Sequence, residues 1–296
     1  MNFQNHPKQI KLINHNSLFM IPNSKHVPVL LDEVIKVLDP KPGEFFIDGT
    51  AGAEGHTAAL REKVGLTGHV LGIDWEKTGE NYADLPAILE SKKLHKADGL
   101  ILDLGFSSEQ IGGGRGFSFQ SDEPLIMTYS ATSKSVQEIL KELSEAELTK
   151  IISEFGEESY APKIAKAIKA AGRKKSIETT KQLAEIVKAA VPENYERGRI
   201  HPATRTFQAL RIYANRELEN LQQALNNLET ILKPGARVAI ISFHSLEDRI
   251  VKNSFRDLEK SGKLKTLTKK PIIATNPEIM TNPRSRSAKL RAAQLI

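Results

Sequence analysis

Short apolar runs alternate with helical patterns along much of the chain. Four runs rich in β-branched residues predict strands at Glu44–Thr50, His69–Asp74, Ala97–Leu104 and Ala236–Ser242. The first and the last of these runs follow a helical stretch and a Pro-Gly turn. Continuous apolar strands separated by helices are typical of a parallel sheet covered on both faces. The pattern therefore predicts an α/β domain.

The middle of the chain shows helical spacing only. The predicted helices lie at Val136–Leu143, from the capping box Ser144–Glu147 to Gly156, at Pro162–Ala171, at Thr180–Ala190 and from about Ala203 to Leu232. Nothing from 112 to 203 has the pattern of a strand. We therefore predict a helical insertion that divides the α/β domain.

The predicted organisation has four parts. Residues 1–25, which contain no acidic residue, are expected to be a disordered N-terminal tail, with Met20 as an alternative start. The α/β core follows in two pieces, 26–111 and 204–296, separated by the helical insertion 112–203, which we expect to recognise the substrate. No segment has the apolar region of a secretory signal or of a membrane-spanning helix.

Composition narrows the classes of function. With 40% hydrophobic and 26% charged residues, the chain is neither wholly disordered nor a coiled coil. It has no cysteine, which excludes disulfides, thiolate nucleophiles and cysteine-ligated zinc. The eight histidines are scattered, with no pair three or four residues apart, so no metal site is expected.

The charge distribution suggests a polyanionic partner. The net charge is +6, and the segment Lys263–Ile296 carries eight Lys or Arg residues and one acidic residue, Glu278. A basic segment of this kind is suited to RNA.

A glycine-rich turn follows the first predicted strand. It is the string Asp48-Gly-Thr-Ala-Gly-Ala-Glu-Gly-His56, and a helix is predicted directly after it. Glycines at such a turn allow a ligand to approach the backbone closely. Asp74 ends the next strand, 19 residues after Gly55, where an acidic residue holds ribose hydroxyls in nucleotide-binding folds. A helix cap is the alternative role for Asp74.

A third acidic residue, Asp103, ends the following strand. Ligands bind beyond the carboxyl ends of strands in an open parallel sheet, so Asp48, Asp74 and Asp103 are expected to share one site. The pyrophosphate-binding patterns of dinucleotide sites and P-loops are absent. A nucleoside without a pyrophosphate, such as S-adenosylmethionine, is therefore the favoured ligand.

Five strings then carry a family resemblance. They are Asp48–His56, Leu102–Ser108, Arg115–Phe119, His201–Arg211 and Ser242–Arg249. Together they resemble the ribosomal RNA small-subunit methyltransferase H family, of the MraW type, and the likeness extends from His26 to Arg291. The resemblance implies a class I S-adenosylmethionine-dependent methyltransferase, Rossmann-like, with an inserted helical domain. It also implies methylation of the N(4) amine of a cytosine in the decoding region of 16S rRNA.

The same resemblance implies roles for individual residues. Glu54, Gly55 and His56 would line the methionine end of the cofactor, and Asp74 would hold the ribose. Tyr82 would lie by the adenine, and Asp103 and Gln110 would complete the pocket.

Candidate catalytic residues follow from the chemistry of the acceptor. The lone pair of the cytosine amine is conjugated with the ring, so a hydrogen-bond acceptor is needed to orient the amine and take a proton. Asp103, or Ser107 with Ser108 beside it, could serve; alternatively, Asp103 only holds the cofactor. His244 could contact the base or cap a helix.

Three other residues are candidates for contacts with RNA: His201, Arg205 and Arg211. The expected partner is 16S rRNA or the small ribosomal subunit. The expected location is the cytoplasm, and the expected state is a monomer or a homodimer.

Three departures from the family pattern open alternatives. Only 23 residues separate Asp74 from Asp98, about twenty fewer than in the family, which removes an edge strand and part of the adenine wall. Glu54 stands where the family usually has Gly, so its carboxylate meets the cofactor ammonium or blocks it. Pro124–Thr128 lacks the Asp and Arg that usually flank its Met. The alternatives are an inactive homologue that binds rRNA without methyl transfer, and a methyltransferase with another acceptor.

Overall fold

A seven-stranded sheet forms the centre of the computed structural model, which describes residues 28–105, 113–130 and 132–296. Its strands are β1 (Phe45–Asp48), β2 (His69–Gly72), β3 (Ala97–Asp103), β4 (Leu232–Ser242), β5 (Leu264–Thr266), β6 (Ile272–Ile273) and β7 (Lys289–Leu295). The order across the sheet is β2-β1-β3-β4-β7-β5, and β6 pairs with β7. The predicted tail, 1–25, lies outside the described residues.

The four predicted strands form the parallel half of this sheet. β1 pairs in parallel with β2 and β3, and β3 pairs in parallel with β4. The α/β prediction is therefore confirmed. β2 lies at the edge, and no strand follows it outward in the described chain, as expected from the short segment between Asp74 and Asp98.

The antiparallel half was not predicted. β7 runs antiparallel to β4 on one side and to β5 and β6 on the other. The basic segment Lys263–Ile296 is therefore part of the sheet rather than a separate extension. Arg291 is buried and its Nε donates to Asp248 Oδ1 at 2.6 Å. Part of the positive charge that the sequence suggested for RNA binding is therefore buried in the sheet and neutralised by Asp248.

Helices cover both faces of the sheet and build a separate helical part. They are α1 (Leu31–Leu38), α2 (Gly55–Val64), α3 (Trp75–Thr78), α4 (Leu85–Ser91), α5 (Val136–Glu142), α6 (Glu145–Gly156), α7 (Ala161–Lys174), α8 (Thr180–Ala190), α9 (Ala203–Asn215), α10 (Glu217–Asn226), α11 (Leu228–Ile231), α12 (Ser245–Lys260) and α13 (Asn276–Thr281). Short 3₁₀ helices lie at Tyr82–Asp84, Tyr195–Gly198 and Pro283–Ser287. Among the described helices, none has the length and apolar character needed to cross a membrane.

Two apolar cores flank the sheet. α4, α10, α11 and α12 pack on one face, and α1 and α2 pack on the other. This two-sided covering explains why the parallel strands are apolar at successive positions instead of alternating.

A third core holds the helical part together. It draws on α5 to α9, and three of these helices begin with the reciprocal capping box, at Ser135, Ser144 and Thr179. Phe207 and Leu210 of α9 belong to this core although they lie beyond the predicted boundary at 203. The division into four parts remains a prediction.

The prediction of a single long helix from about Ala203 to Leu232 was wrong. α9 ends at Asn215, because Arg216 has a left-handed backbone with φ of 51°. A second break follows at Asn227, and Leu232 already begins β4. Helical spacing of leucines persists across these breaks, so the apolar pattern did not reveal them.

Asn215 fastens the helical part beside the first break. Its Nδ2 donates to Met127 O at 2.8 Å and to Arg211 O at 3.0 Å, and its Oδ1 accepts from Tyr129 N at 2.8 Å. Met127 is buried and has a positive φ of 56°. One buried amide thus fixes a strained loop against the end of α9.

We expect Asn215→Ala to destabilise the protein. The substitution leaves the Met127 carbonyl and the Tyr129 amide without their partner, at a cost of about 2–3 kcal/mol. Urea denaturation followed by circular dichroism should show a lower midpoint. Asn226→Ala is the matched control, because Asn226 is exposed at the end of α10. Equal midpoints for the two variants would contradict the assignment.

Candidate functional site

A cleft opens at the carboxyl ends of β1, β2 and β3. It is open to solvent and holds a cavity volume of about 130 Å³. Six carboxylates line it: Asp74, Glu76, Glu80, Asp103, Glu217 and Glu247. The sheet edge therefore gathers acidic groups, as the sequence predicted for two of them.

Asp48 does not reach the cleft. It is 2% exposed, its Oδ2 accepts from the Thr57 hydroxyl at 2.6 Å, and its Oδ1 accepts from Thr50 N at 3.0 Å. Thr50 Oγ1 in turn accepts from Asp103 N at 2.7 Å. Asp48 therefore holds the glycine-rich turn against the end of β3 and is a structural residue.

Asp74 serves two purposes with its two oxygens. Oδ1 caps α3 by accepting from Glu76 N at 2.9 Å and Lys77 N at 3.0 Å. Oδ2 lies 4.0 Å from Lys77 Nζ and accepts no hydrogen bond from the described residues. The cap and the ligand role are thus compatible, since Asp74 also lines the cleft.

Asp103 lies in the floor of the cleft with 16% of its side chain exposed. Its Oδ1 accepts from Gly105 N at 3.2 Å, and its Oδ2 lies 3.6 Å from Nδ1 of His56. Burial raises the pKa of the Asp103 carboxyl, and the charges of Asp48 and Glu247 act in the same direction, whereas His56 lowers it.

The three residues expected at the methionine end do not line the cleft. Glu54 points outward, 63% exposed, and pairs with Arg61 at 3.5 Å. Gly55 packs against Pro28, because a Cβ at position 55 would overlap the Pro28 ring. His56 is buried behind Asp103. Their assignment to the cofactor remains a prediction.

Tyr82 faces the cleft from the segment after α3. A Cβ at Gly49 would press against Tyr82, so the glycine allows the tyrosine to approach the turn. Burial raises the pKa of the Tyr82 hydroxyl, and the nearby Glu217 and Glu247 add to this effect. The phenol is therefore neutral. Ser107 and Gln110 lie outside the described residues.

The opposite wall of the cleft was not predicted from the sequence. Glu217, the first residue of α10, accepts from Arg211 Nε at 2.8 Å and from the Tyr129 hydroxyl at 3.2 Å. Arg211 is engaged in this ion pair with 13% of its side chain exposed, so little of it is available to RNA. The left-handed turn at Arg216 brings Glu217 to the cleft. No local sequence pattern predicts this turn.

Of the other two RNA candidates, one is exposed. His201 is at the surface and stacks on Phe119 with ring centroids 4.6 Å apart. Arg205 pairs with Glu196 at 2.8 Å.

His244 caps α12, which confirms one of its two expected roles. Its Nδ1 accepts from Glu247 N at 3.4 Å, and Glu247 Oε2 accepts from Phe243 N at 2.8 Å. Nδ1 is the acceptor in this cap, so the proton of a neutral ring lies on Nε2. Nε2 is buried 3.1 Å from Glu247 Oε1 and makes no hydrogen bond with the described residues.

This tautomer bears on a metal site. Among the described residues, Glu217, His244 and Glu247 are close enough together to hold an ion. A protonated Nε2 cannot be a ligand, and both oxygens of Glu217 already accept from Arg211. The arrangement therefore favours a hydrogen-bonded cap over a metal centre.

An aromatic cluster closes the outer end of the cleft. Trp75 lies 5.7 Å from Tyr129 between ring centroids, and Tyr129 stacks on Phe117 at 5.3 Å. Arg115 pairs with Glu76 and lies over the Phe117 ring. Trp75 is positioned next to Asp74 and lines the cleft, so its indole can contact a bound nucleoside.

The cleft fits a cationic nucleoside. Glu76, Glu80 and Glu217 are paired with Arg115, Lys92 and Arg211 respectively, but no Lys or Arg of the described chain pairs with Glu247. A sulfonium is attracted to a carboxylate of this kind. A ribose diol matches the open oxygen of Asp74. These features suit S-adenosylmethionine.

Comparison with known proteins gives one family and many relatives. The sequence profile of the MraW methylase family matches residues 23–80 and 75–296. Three similar proteins are named ribosomal RNA small subunit methyltransferase H. The protein of Deinococcus radiodurans is 45% identical over 92% of this chain and 90% of its own length. Those of Syntrophus aciditrophicus and Persephonella marina are each 42% identical over 92% of this chain, and cover 98% and 99% of their own lengths.

Trp75 provides a direct test of the cleft as the ligand site. It is the only tryptophan of the chain, so titration with S-adenosylmethionine should change the intrinsic fluorescence. Asp74→Ala should weaken binding about tenfold or more, since a charged hydrogen bond contributes about 1.5–3 kcal/mol. Asp98→Ala is the control, because Asp98 lies at the amino-terminal end of β3, away from the cleft. Unchanged affinity in Asp74→Ala would place the ligand elsewhere.

Glu54 should be dispensable for the ligand. Because its carboxylate points away from the cleft, Glu54→Gly and Glu54→Ala should both bind S-adenosylmethionine within about twofold of the parent affinity. Glu54 has a left-handed φ of 59°, so the glycine variant should melt at a higher temperature than the alanine variant. A large loss of affinity in both variants would show that Glu54 contacts the ligand.

Proposed function

The chain belongs to the MraW methylase family, and we propose that it methylates the N(4) amine of a cytosine in the decoding region of 16S rRNA. The family resemblance inferred from the motifs is confirmed. The class I methyltransferase fold is confirmed as well, and S-adenosylmethionine is the methyl donor of such enzymes.

The extent of the similarity carries this proposal. The relatives named for the small-subunit RNA match over 92% of this chain and at least 90% of their own lengths. The match therefore includes the helical part and the strings Arg115–Phe119 and His201–Arg211, which lie outside the cofactor turn. A shared acceptor is supported by this more than by the fold, since one fold serves many substrates.

The chain holds the cofactor through groups of the cleft. Asp74, Tyr82 and Trp75 line the cleft, and they would hold the ribose and the nucleoside base of the cofactor. When bound, S-adenosylmethionine supplies a methyl group on a positively charged sulfonium. Glu247, which pairs with no Lys or Arg of the described residues, presents negative charge to the cleft.

Asp103 orients the acceptor amine. A carboxylate oxygen accepts a hydrogen bond from the cytosine N(4) group, aligns its lone pair and takes a proton as positive charge develops. Ser107, with Ser108 beside it in the sequence, is the alternative candidate for this role. His244 acts indirectly, because its ring is engaged in the α12 cap.

The exposed Lys and Arg side chains of the C-terminal segment contact the RNA. Lys265, Lys269, Lys270 and Arg286 of the C-terminal segment remain at the surface, together with His201 beside α9. Contacts of this kind are made mainly to phosphate, and binding should weaken as salt rises. The enzyme acts in the cytoplasm on the small subunit or its RNA, as a monomer or a homodimer.

Asp103→Asn separates cofactor binding from transfer. The amide keeps an oxygen for Gly105 N but loses the charge, so methylation of small subunits that lack the mark should fall about 100-fold or more. Affinity for S-adenosylmethionine should change little. The product, N(4)-methylcytidine, is measured by mass spectrometry of nucleosides. Asp98→Asn is the control, since Asp98 pairs with Lys233 away from the cleft.

Two results would overturn parts of this proposal. Loss of cofactor affinity in Asp103→Asn would make Asp103 a cofactor-binding residue only. A parent protein that binds small-subunit RNA and S-adenosylmethionine but forms no N(4)-methylcytidine would favour the inactive homologue. The family profile matches in two parts, which overlap at residues 75–80 near the shortened segment. This division is the observation that favours the inactive homologue as a second candidate.

A further inference from the structure

One helix of the helical part carries positive charge only. α7 holds five cations and no acidic residue. Every other described helix of ten or more residues has either an acidic residue or no more than two cations. One more lysine follows α7 directly. The cations of this run are Lys163, Lys166, Lys169, Arg173, Lys174 and Lys175.

Most of these charges lie on the side of α7 that faces away from the core. Ile164 and Ile168 are buried in the core of the helical part. At 3.6 residues per turn, Lys163, Lys166 and Lys174 fall on the other side of the helix, and all three are exposed. The helix therefore presents a charged face to solvent along its whole length.

Much of this charge has no counter-charge within the described chain. Lys169 donates to the carbonyl oxygens of Leu140 and Leu143 at the end of α5, and Arg173 lies 3.9 Å from Glu145. The other four cations form no ion pair with any residue that the structure describes, and Lys163 lies over the Tyr160 ring. We call these four residues the basic strip: Lys163, Lys166, Lys174 and Lys175.

The basic strip begins close to the cleft. Glu157, four residues before α7, accepts from the Ser245 hydroxyl at 2.5 Å and from Arg249 at 2.8 Å. Ser245 is the first residue of α12, and Glu247 of the same helix lines the cleft. From this point α7 extends over about 20 Å. A chain that lies along the strip thus has one end near the cleft.

A loop continues the positive surface at the start of α7. Arg197 and Arg199 are exposed, and they share a surface pocket with Tyr160. The Tyr195 hydroxyl donates to Glu158, so the loop is fixed to the residues directly before α7. The two arginines therefore extend the charge at the end of the strip that is closer to the cleft.

We propose that the basic strip binds the phosphate backbone of RNA beside the target nucleotide. This inference rests on the proposed function, in which the substrate is small-subunit rRNA. Lysines contact phosphates as point charges and carry no base specificity. The strip accordingly supplies affinity and orientation, and the selection of the base is left to the cleft.

The packing of α7 favours RNA over a membrane surface. A helix that lies on a membrane inserts its apolar face among the lipid chains. Ile164 and Ile168 are already buried against the neighbouring helices, so only the charged face of α7 is available. Loss of binding to phosphatidylserine vesicles on removal of the strip, with unchanged binding to RNA, would overturn the proposal.

The salt dependence of RNA binding tests the strip. The test variant combines Lys163→Gln, Lys166→Gln, Lys174→Gln and Lys175→Gln. Its binding to a 16S rRNA transcript that contains the decoding region is measured by fluorescence anisotropy, without cofactor, at about 50 to 200 mM salt. Each phosphate contact adds about 0.7–0.9 to the slope of log K against log salt, so the slope should fall by about three.

A matched control removes the same charge at the opposite edge of the sheet. Four exposed lysines that precede the amino-terminal ends of β1, β2 and β3 are replaced by glutamine, and the slope should change by less than about one. Equal changes in the two variants, or an unchanged slope in the test variant, would overturn the proposal. The control residues are Lys36, Lys63, Lys93 and Lys96.

A smaller variant guards against loss of folding. Lys166→Gln combined with Lys174→Gln changes two exposed side chains that form no ion pair within the described chain, so the melting temperature should equal that of the parent protein. The slope for RNA should then fall by about half as much as in the fourfold variant. A folded double variant with the parent slope would contradict the proposal.

Steady-state kinetics separates binding from chemistry. For methylation of small subunits, the KM of the fourfold variant should rise about tenfold or more, while kcat stays within about twofold, because the strip does not touch the reacting atoms. Affinity for S-adenosylmethionine, read from Trp75 fluorescence, should equal that of the parent protein. A fall in kcat at unchanged KM would overturn the role of the strip.

These measurements also distinguish the inference from the proposed function. RNA binding is measured without S-adenosylmethionine, so a protein that transfers no methyl group still shows the change in slope if the strip binds RNA. Formation of N(4)-methylcytidine by the fourfold variant at the parent KM would leave the proposed function standing and remove the strip from it.

Discussion

The cleft depends on the buried carboxylate of Asp48. Its two oxygens bind Thr50 N and the Thr57 hydroxyl, so they fix both the start of the glycine-rich turn and the first turns of α2. Thr50 then accepts from the amide of Asp103. Each hydrogen bond to a charged group contributes about 1.5–3 kcal/mol. Because α2 also carries His56, the same carboxylate fixes the distance between His56 and Asp103.

This constraint gives the three aspartates at the strand ends different functions. All three were expected in one site, and topology does bring them to one edge of the sheet. Asp48 points inward and its hydrogen bonds stabilise the turn. One oxygen of Asp74 caps a helix and the other faces the cleft, whereas Asp103 forms part of the cleft floor. Sequence position predicts which strand end a residue occupies, but the direction of its side chain depends on the neighbouring element.

The parallel strands and the capped helices could be predicted because their signals are local. β-branched runs after Pro-Gly turns, and Ser or Thr three residues before Glu or Gln, are settled within a few positions. β7 could not be found in this way, since its pairing with β4 joins residues about fifty positions apart. The left-handed residues Met127 and Arg216 also escaped prediction, because tertiary hydrogen bonds of Asn215 hold that region in place. The wall formed by Tyr129, Arg211 and Glu217 depends on those residues.

That wall joins the helical part to the cleft. Arg115, Tyr129 and Arg211 all come from the helical part and its connections, and each contacts a side chain of the cofactor cleft. The segment expected to meet the substrate therefore also neutralises Glu76 and Glu217 and covers Trp75. If RNA shifts the helical part, these ion pairs shift with it, and the charge around the cofactor changes.

The shortened edge beside β2 makes this contribution larger, because Trp75 and Tyr129 supply apolar surface where the sheet has no further strand among the described residues. Under the proposed function, this shared wall links cofactor affinity to substrate binding, and substitutions in Tyr129 or Glu217 are expected to act on both.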